Sequence, residues 1–248
     1  MLWGSFGAAH ILSLCLGAGI IVGLYFLLRR FSAKTQTIVL GILSFSGIAA
    51  IIYNLVTWGS PYEYLPLHLC SLTAMVLPVA VFTRSKVLGN LLLLWSLGAV
   101  MALVVNTAQA NFEIFSATFA FYFFPHLLEF GIPILLIALG LVKKDMKCIG
   151  STLLITLGVL ILVHLANVAL NSYFVANQML DPSGTLIQVN YMYTLQPENP
   201  VLELCWSLIP YPFWYMMPVV LIVLVYLGFV YLKQIIVCFK KKAAVKSK

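Results

Sequence analysis

Leu65-Pro66-Leu67-His68-Leu69-Cys70 opens an oily run and carries an imidazole and a thiol into it. A polar side chain in hydrocarbon is costly and is kept there for a partner or a function. Whether this stretch lies in lipid decides how the whole chain is read. Its surroundings say that it does. Of 248 residues, 62% are hydrophobic and only 8% charged, against about a quarter charged in an ordinary soluble domain. The chain reads as a multi-pass membrane protein of the cell membrane, and no water-facing domain of normal size fits outside the apolar runs.

Working outward, runs of about 20 apolar residues mark helices that cross a bilayer. Seven are expected: Phe6–Leu28, Thr37–Thr57, Pro66–Phe82, Val87–Val105, Ala117–Val142 with Pro125 and Pro133 inside it, Ile149–Tyr173, and Pro212–Val237. The first is too long for the core of a signal peptide and is read as a retained helix. No internal repeat stands out. The expectation is an all-α polytopic protein in which residues 1–248 form a single bundle of seven helices.

Lys and Arg set the orientation. Arg29, Arg30 and Lys34 follow the first helix, Arg84 and Lys86 the third, and Lys143, Lys144 and Lys147 the fifth. Lys233, Lys240, Lys241, Lys242, Lys246 and Lys248 end the chain, which completes the inventory of 14 on one side. Glu63, Glu113, Asp181, Glu198 and Glu203 fall on the other side, with Asp145 an exception and Glu129 inside a helix. The N-terminus is therefore expected outside and the basic tail, residues 238–248, in the cytoplasm. The net charge of +7 is on this reading a topology signal and not a nucleic-acid footprint. Five cysteines without CxxC spacing imply neither a zinc ribbon nor a disulfide framework.

The outer segments Trp58–Tyr64 and Asn106–Ser116 are short, whereas the segment 174–211 is long and rich in turn residues. A loop of that length is more often functional than not, and it is expected to lie over the outer mouth of the bundle. The outer halves of four helices carry His10, His68, His126 and His164. By helical rise, His126 and His164 lie about 12–14 Å below the outer surface. His164, Asn167 and Asn171 share one helix face at i, i+3, i+7, and His126 shares a face with Glu129 at i, i+3. Glu129 is expected to be protonated or paired. His68 and Cys70, two apart, fall on nearly opposite faces unless the turn at Pro66 is irregular. His10 is read as interhelical glue, and Cys15, Cys148 and Cys238 as apolar filler. Cys205 is a free thiol or a partner for Cys70.

Leu65 to Cys70, with Phe124-Pro125-His126, the face His164-Asn167-Asn171 and the stretch Asn190-Tyr191-Met192-Tyr193 ending in Pro197, resembles the YwaF-type bacterial integral membrane proteins. These are similar to the eukaryotic transmembrane protein 164 group, seven-helix proteins implicated in acyl transfer between phospholipids. What the resemblance implies is a catalytic pair of Cys70 and His126, with His164 the alternative base, and a membrane phospholipid as substrate.

Three functions follow. In the first, a lipid transacylase working from the outer-leaflet side, the Cys70 thiolate attacks an ester and His126 is base and then acid. Glu129 steadies the imidazole, and His68, Asn167, Asn171 or Tyr191 donates to the oxyanion; Asn190 is a supporting residue, and no cofactor is called for. The second is zinc-dependent lipid hydrolysis by His68, His126, His164 and Glu129 or Cys70, although the last helix lacks the histidine pair of ceramidase-like hydrolases. The third is a transporter, receptor or accessory subunit that binds without chemistry. The oligomeric state is left open.

Overall fold

The computed structural model describes residues 2–58, 60–105 and 111–246, the last six of these by backbone alone. Gly59 of the outer segment Trp58–Tyr64, residues 106–110 of Asn106–Ser116, and Ser247 and Lys248 of the basic tail lie outside the described residues. The protein is all-α and polytopic: among the described residues, six helices are long and apolar enough to cross a membrane. α1 spans Ala8–Leu28. α2 (Ala33–Ser44) and α3 (Ser46–Thr57) form one 25-residue span. It is interrupted at Phe45 (φ −76°, ψ −7°), beside which the Ser44 hydroxyl donates to the Gly41 carbonyl at 2.6 Å. α5 (Lys86–Val104), α6 (Ala117–Ala138), α7 (Ile149–Ala176) and α9 (Val219–Lys246) follow the same rule of length.

The count of seven expected from hydropathy departs from this at one place. The run Pro66–Phe82 yields only α4, Leu69–Thr83, 15 residues long. At 1.5 Å per residue it rises about 22 Å, short of a hydrocarbon core of about 30 Å. Pro66 is the cause. It holds Leu65 extended at φ −55°, ψ 141°, and the chain between Pro61 and His68 is a short 3₁₀ turn and irregular backbone. The last helix also begins later than expected, at Val219, because Pro212 and Pro218 confine the preceding residues to the 3₁₀ turn Trp214–Met216.

Hydroxyl caps start three of the helices. Ser32 accepts from the Thr35 amide, Ser85 from the Leu88 amide and Ser116 from the Phe119 amide, each satisfying a first-turn donor that has no partner within the helix. α5 and α6 form the most extensively packed pair, α3 and α4 lie against them, and α1 packs chiefly on α6. The close approach of α3 to α4 needs Gly47: a Cβ there would stand 2.5 Å from the Ala74 Cβ, the small-residue contact expected where lipid supplies no drive for association.

The basic end is tied by polar side chains. Asn90 donates to the Lys86 and Lys143 carbonyls and accepts from the Asp145 amide and the Tyr231 hydroxyl. Gln234 on α9 accepts from the Met146 amide and donates to the Lys144 carbonyl. Asp145, the acid among the bases, pairs with Lys86 at 2.9 Å. The hydrogen bond from Lys86 and that from the Lys147 amide hold its carboxyl below the ordinary range.

At the other end, the long segment after α7 is folded. Asp181 accepts from the Ser183 and Thr185 amides to close a turn. Residues Tyr191–Tyr193 make a 3₁₀ turn, and α8, Pro200–Leu208, is a short helix with Asn199 as its cap. Ile187, Val189, Tyr191 and Met192 bury themselves against Val163 and Phe174 of α7 and the chain around Leu65–Leu69.

Candidate active site

Cys70 is the second residue of α4, whose first turn follows the extended residue His68. The first-turn amides of a helix have no partner within it. The Cys70 sulfur lies beside the amides of Cys70 and Ser71 and the Ser71 hydroxyl, at the partially positive end of the helix. The thiol is half-buried; it and Cys205 are both free, so no disulfide joins them. Cys205 is instead buried with Leu202 and Tyr215.

α6 supplies the facing wall. Tyr122, His126 and Glu129, spaced i, i+4, i+7, occupy one face, and the helix runs on through Pro125 and Pro133. His126 Nδ1 lies 2.7 Å from the Tyr122 carbonyl. A carbonyl only accepts, so Nδ1 carries the proton and the neutral ring keeps its lone pair on Nε2. The Tyr122 ring lies under the imidazole at 4.5 Å, and its hydroxyl donates to the Ala102 carbonyl of α5 at 3.0 Å.

Glu129 is buried at the junction of α3, α4 and α6. Its Oε1 is 3.1 Å from where Gly47 would carry a Cβ, and its Oε2 has no hydrogen-bond partner among the described residues. The carboxyl lies within electrostatic reach of both His126 and Cys70. Cys70 is likewise within reach of Tyr122 and of Tyr193 in the outer segment. No hydrogen bond joins Cys70 to His126 among the described residues, so the two share a neighbourhood without being a formed pair.

The four imidazoles each meet a different partner. Among the described residues, no hydrogen bond or ring contact links any two of them. His10 is buried, with Nε2 2.7 Å from the Leu103 carbonyl and Nδ1 accepting from the Phe6 amide. His164 turns Nδ1 to Thr194 at 3.1 Å and its ring to Phe213. His68 accepts from the Met192 amide at 3.3 Å and packs on Tyr191 and Tyr193. The zinc ligand set drawn from His68, His126, His164 with Glu129 or Cys70 does not assemble: no three such groups gather as a metal site among the described residues.

The polar residues of α7 and the outer segment hold backbone. Asn167 donates to the Tyr191 carbonyl and to Thr194 and accepts from the Tyr191 amide. Asn171 makes the same exchange with Val189 at 2.8 Å both ways. Asn190 donates to Gln196 and Glu198 and accepts from Leu195. The Tyr191 hydroxyl donates to the Tyr62 carbonyl. Burial and the nearby charge of Glu63 push that phenol up to about 12, which keeps it a donor.

The TMEM164 family matches residues 5–231 of this sequence. The chain belongs to the TMEM164 family. Comparison with curated proteins and with solved structures finds no match. Membership of the TMEM164 family and the apolar helices together make this a multi-pass membrane protein of that family. The reading from sequence misses Tyr122, Ser71 and Tyr193. Tyr122 was legible, standing one turn before His126. Tyr193 was not, because its direction depends on a local backbone reversal.

Proposed function

We propose that the protein is a membrane transacylase that moves an acyl group between phospholipids through Cys70 and His126. The observation that carries this reading is the gathering of Cys70, at the amide-rich start of α4, with Glu129 and its neighbour His126 in a TMEM164-family chain. His126 Nε2 takes the thiol proton, and the sulfur attacks the ester carbonyl of a donor lipid. A C–S bond forms and the ester C–O bond breaks. The lysolipid alcohol leaves with the proton from His126. A second lipid hydroxyl then attacks the thioester, the imidazole accepts its proton and returns it to sulfur, and the acyl group ends on the new oxygen. Catalytic hydrogen bonds are often open in an empty site and close around substrate. In this proposal the Glu129 carboxyl steadies the imidazolium formed in each half-reaction.

On this proposal the chain is one bundle with seven crossings, α4 being the short one. The N-terminus lies outside and the basic loops in the cytoplasm. Only the outer-leaflet side then reaches Cys70, which favours a lipid donor over a charged cytosolic thioester. Lipid mass spectrometry of cells carrying wild type, Cys70→Ala and His126→Ala tests the reading. Both variants should abolish the change in acyl composition that the wild type produces. A Cys70→Ala lipid profile identical to wild type would sink it.

A further inference from the structure

Of the tyrosines in the outer segment, Tyr191 spends its hydroxyl on the Tyr62 carbonyl. Its neighbour but one is built differently. Met192 and Tyr193 both stand in the left-handed region, at φ 53° and φ 55°, which side chains adopt only when the surroundings impose it. The surroundings do impose it. The Met192 amide donates to His68 Nδ1 at 3.3 Å, the Tyr193 amide to the Asn190 carbonyl at 3.0 Å, and the Tyr215 hydroxyl donates to the Tyr193 carbonyl. Thr194, the next residue, is held by Asn167 and bonded to His164.

The reversal brings the Tyr193 ring over His68, with centroids 5.5 Å apart at 57°. His68 immediately precedes the helix that carries Cys70. The Tyr193 hydroxyl enters no hydrogen bond among the described residues. Burial, then the charges of Glu198 and Cys70, raise its titration, so it remains a proton-bearing donor.

We propose that the Tyr193 phenol donates the hydrogen bond that stabilises the oxyanion when Cys70 attacks an ester. As the C–S bond forms, the carbonyl π pair moves to oxygen. Tyr193 O–H bonds to that oxygen without giving up its proton, and the pair returns as the ester C–O bond breaks. This rests on the transacylase reading and adds a residue to it, one that the sequence places two positions from the hydroxyl it first suggests.

The test separates acylation from alkylation. Full-length protein in phosphatidylcholine nanodiscs is treated with p-nitrophenyl butyrate, whose attack passes through an oxyanion, or with iodoacetamide, whose attack does not. Modification of the Cys70 peptide is followed by mass spectrometry. Tyr193→Phe should slow acylation by about 100-fold or more, the scale of an oxyanion donor, and leave alkylation and the unfolding temperature unchanged. Tyr193→His, which returns an N–H donor to the ring, should recover part of the loss, while Tyr191→Phe should not impair acylation selectively. Unchanged acylation in Tyr193→Phe overturns the assignment, as does an equal fall in alkylation. A wild type whose Cys70 is alkylated but never acylated overturns the transacylase reading itself, and this assignment with it.

Discussion

Asn167 of α7 and Tyr191 of the outer segment exchange two hydrogen bonds, side-chain Nδ2 to backbone carbonyl and backbone amide to side-chain Oδ1, each 2.9 Å long. Both residues are buried. The amide side chain therefore plays the part of a neighbouring strand for a piece of backbone that has none. Asn167→Ala should destabilise the protein by about 1–3 kcal/mol for each backbone group it leaves unpaired. Asn167→Asp, which keeps the acceptor but sets a carboxylate oxygen against a carbonyl, should do no better. Thermal unfolding in detergent checks both. A fully stable Asn167→Ala would mean the outer segment is held by its apolar contacts alone.

Glu129 has the opposite character, a buried carboxyl whose Oε2 bonds to nothing among the described residues. Burying an unpaired polar group costs about 1–3 kcal/mol by mutational measures. Glu129→Met, close in length and apolar, should therefore raise the unfolding temperature while lowering acyl transfer. A variant that loses stability would show that the carboxyl has a partner that holds the fold.

Close helix contacts differ in what can yield. A Cβ at Gly47 would meet the Ala74 Cβ at 2.5 Å, and one at Gly131 would meet the Ile21 Cδ1 at 2.2 Å. The second is nominally tighter, but a terminal methyl can rotate away and a Cβ cannot. Gly47→Ala should cost about 1–3 kcal/mol, the scale of overpacking, and Gly131→Ala less. The order of the two unfolding temperatures decides the matter.

Topology is open to labelling. In a background without the five native cysteines, Ser183→Cys in the exposed Asp181 turn should react with an impermeant maleimide in intact cells. Lys34→Cys, exposed between α1 and α2, should react only after permeabilisation. The reverse pattern would place Cys70 toward the inner leaflet.

Much of the architecture was legible. Long apolar runs gave the helices, while the caps Ser32, Ser85 and Ser116 were missed, although serine before an apolar run signals a helix start. α8 went unread although its signal was present: Asn199 as cap, Pro200 in the first turn and Glu203 near the positive helix end. The site was read less well. Sharing the outer half of a bilayer is a statement about depth, and helix rotation decides whom a histidine meets. His10 found a carbonyl and His164 a threonine. Tyr193 owes its direction to left-handed backbone at two non-glycine residues, which no residue type announces.

The brevity of α4 has a consequence for what surrounds it. On the proposed topology, its deficit of about 8 Å against the hydrocarbon thickness falls to non-helical chain at its N-terminal end, Pro61–His68 with Tyr191–Tyr193 packed on it. Bare peptide groups at that depth survive only when shielded from lipid. On that topology the outer segment that Asn167 and Asn171 tie to α7 is the shield, and cutting it away would open the thiol's niche to alkane.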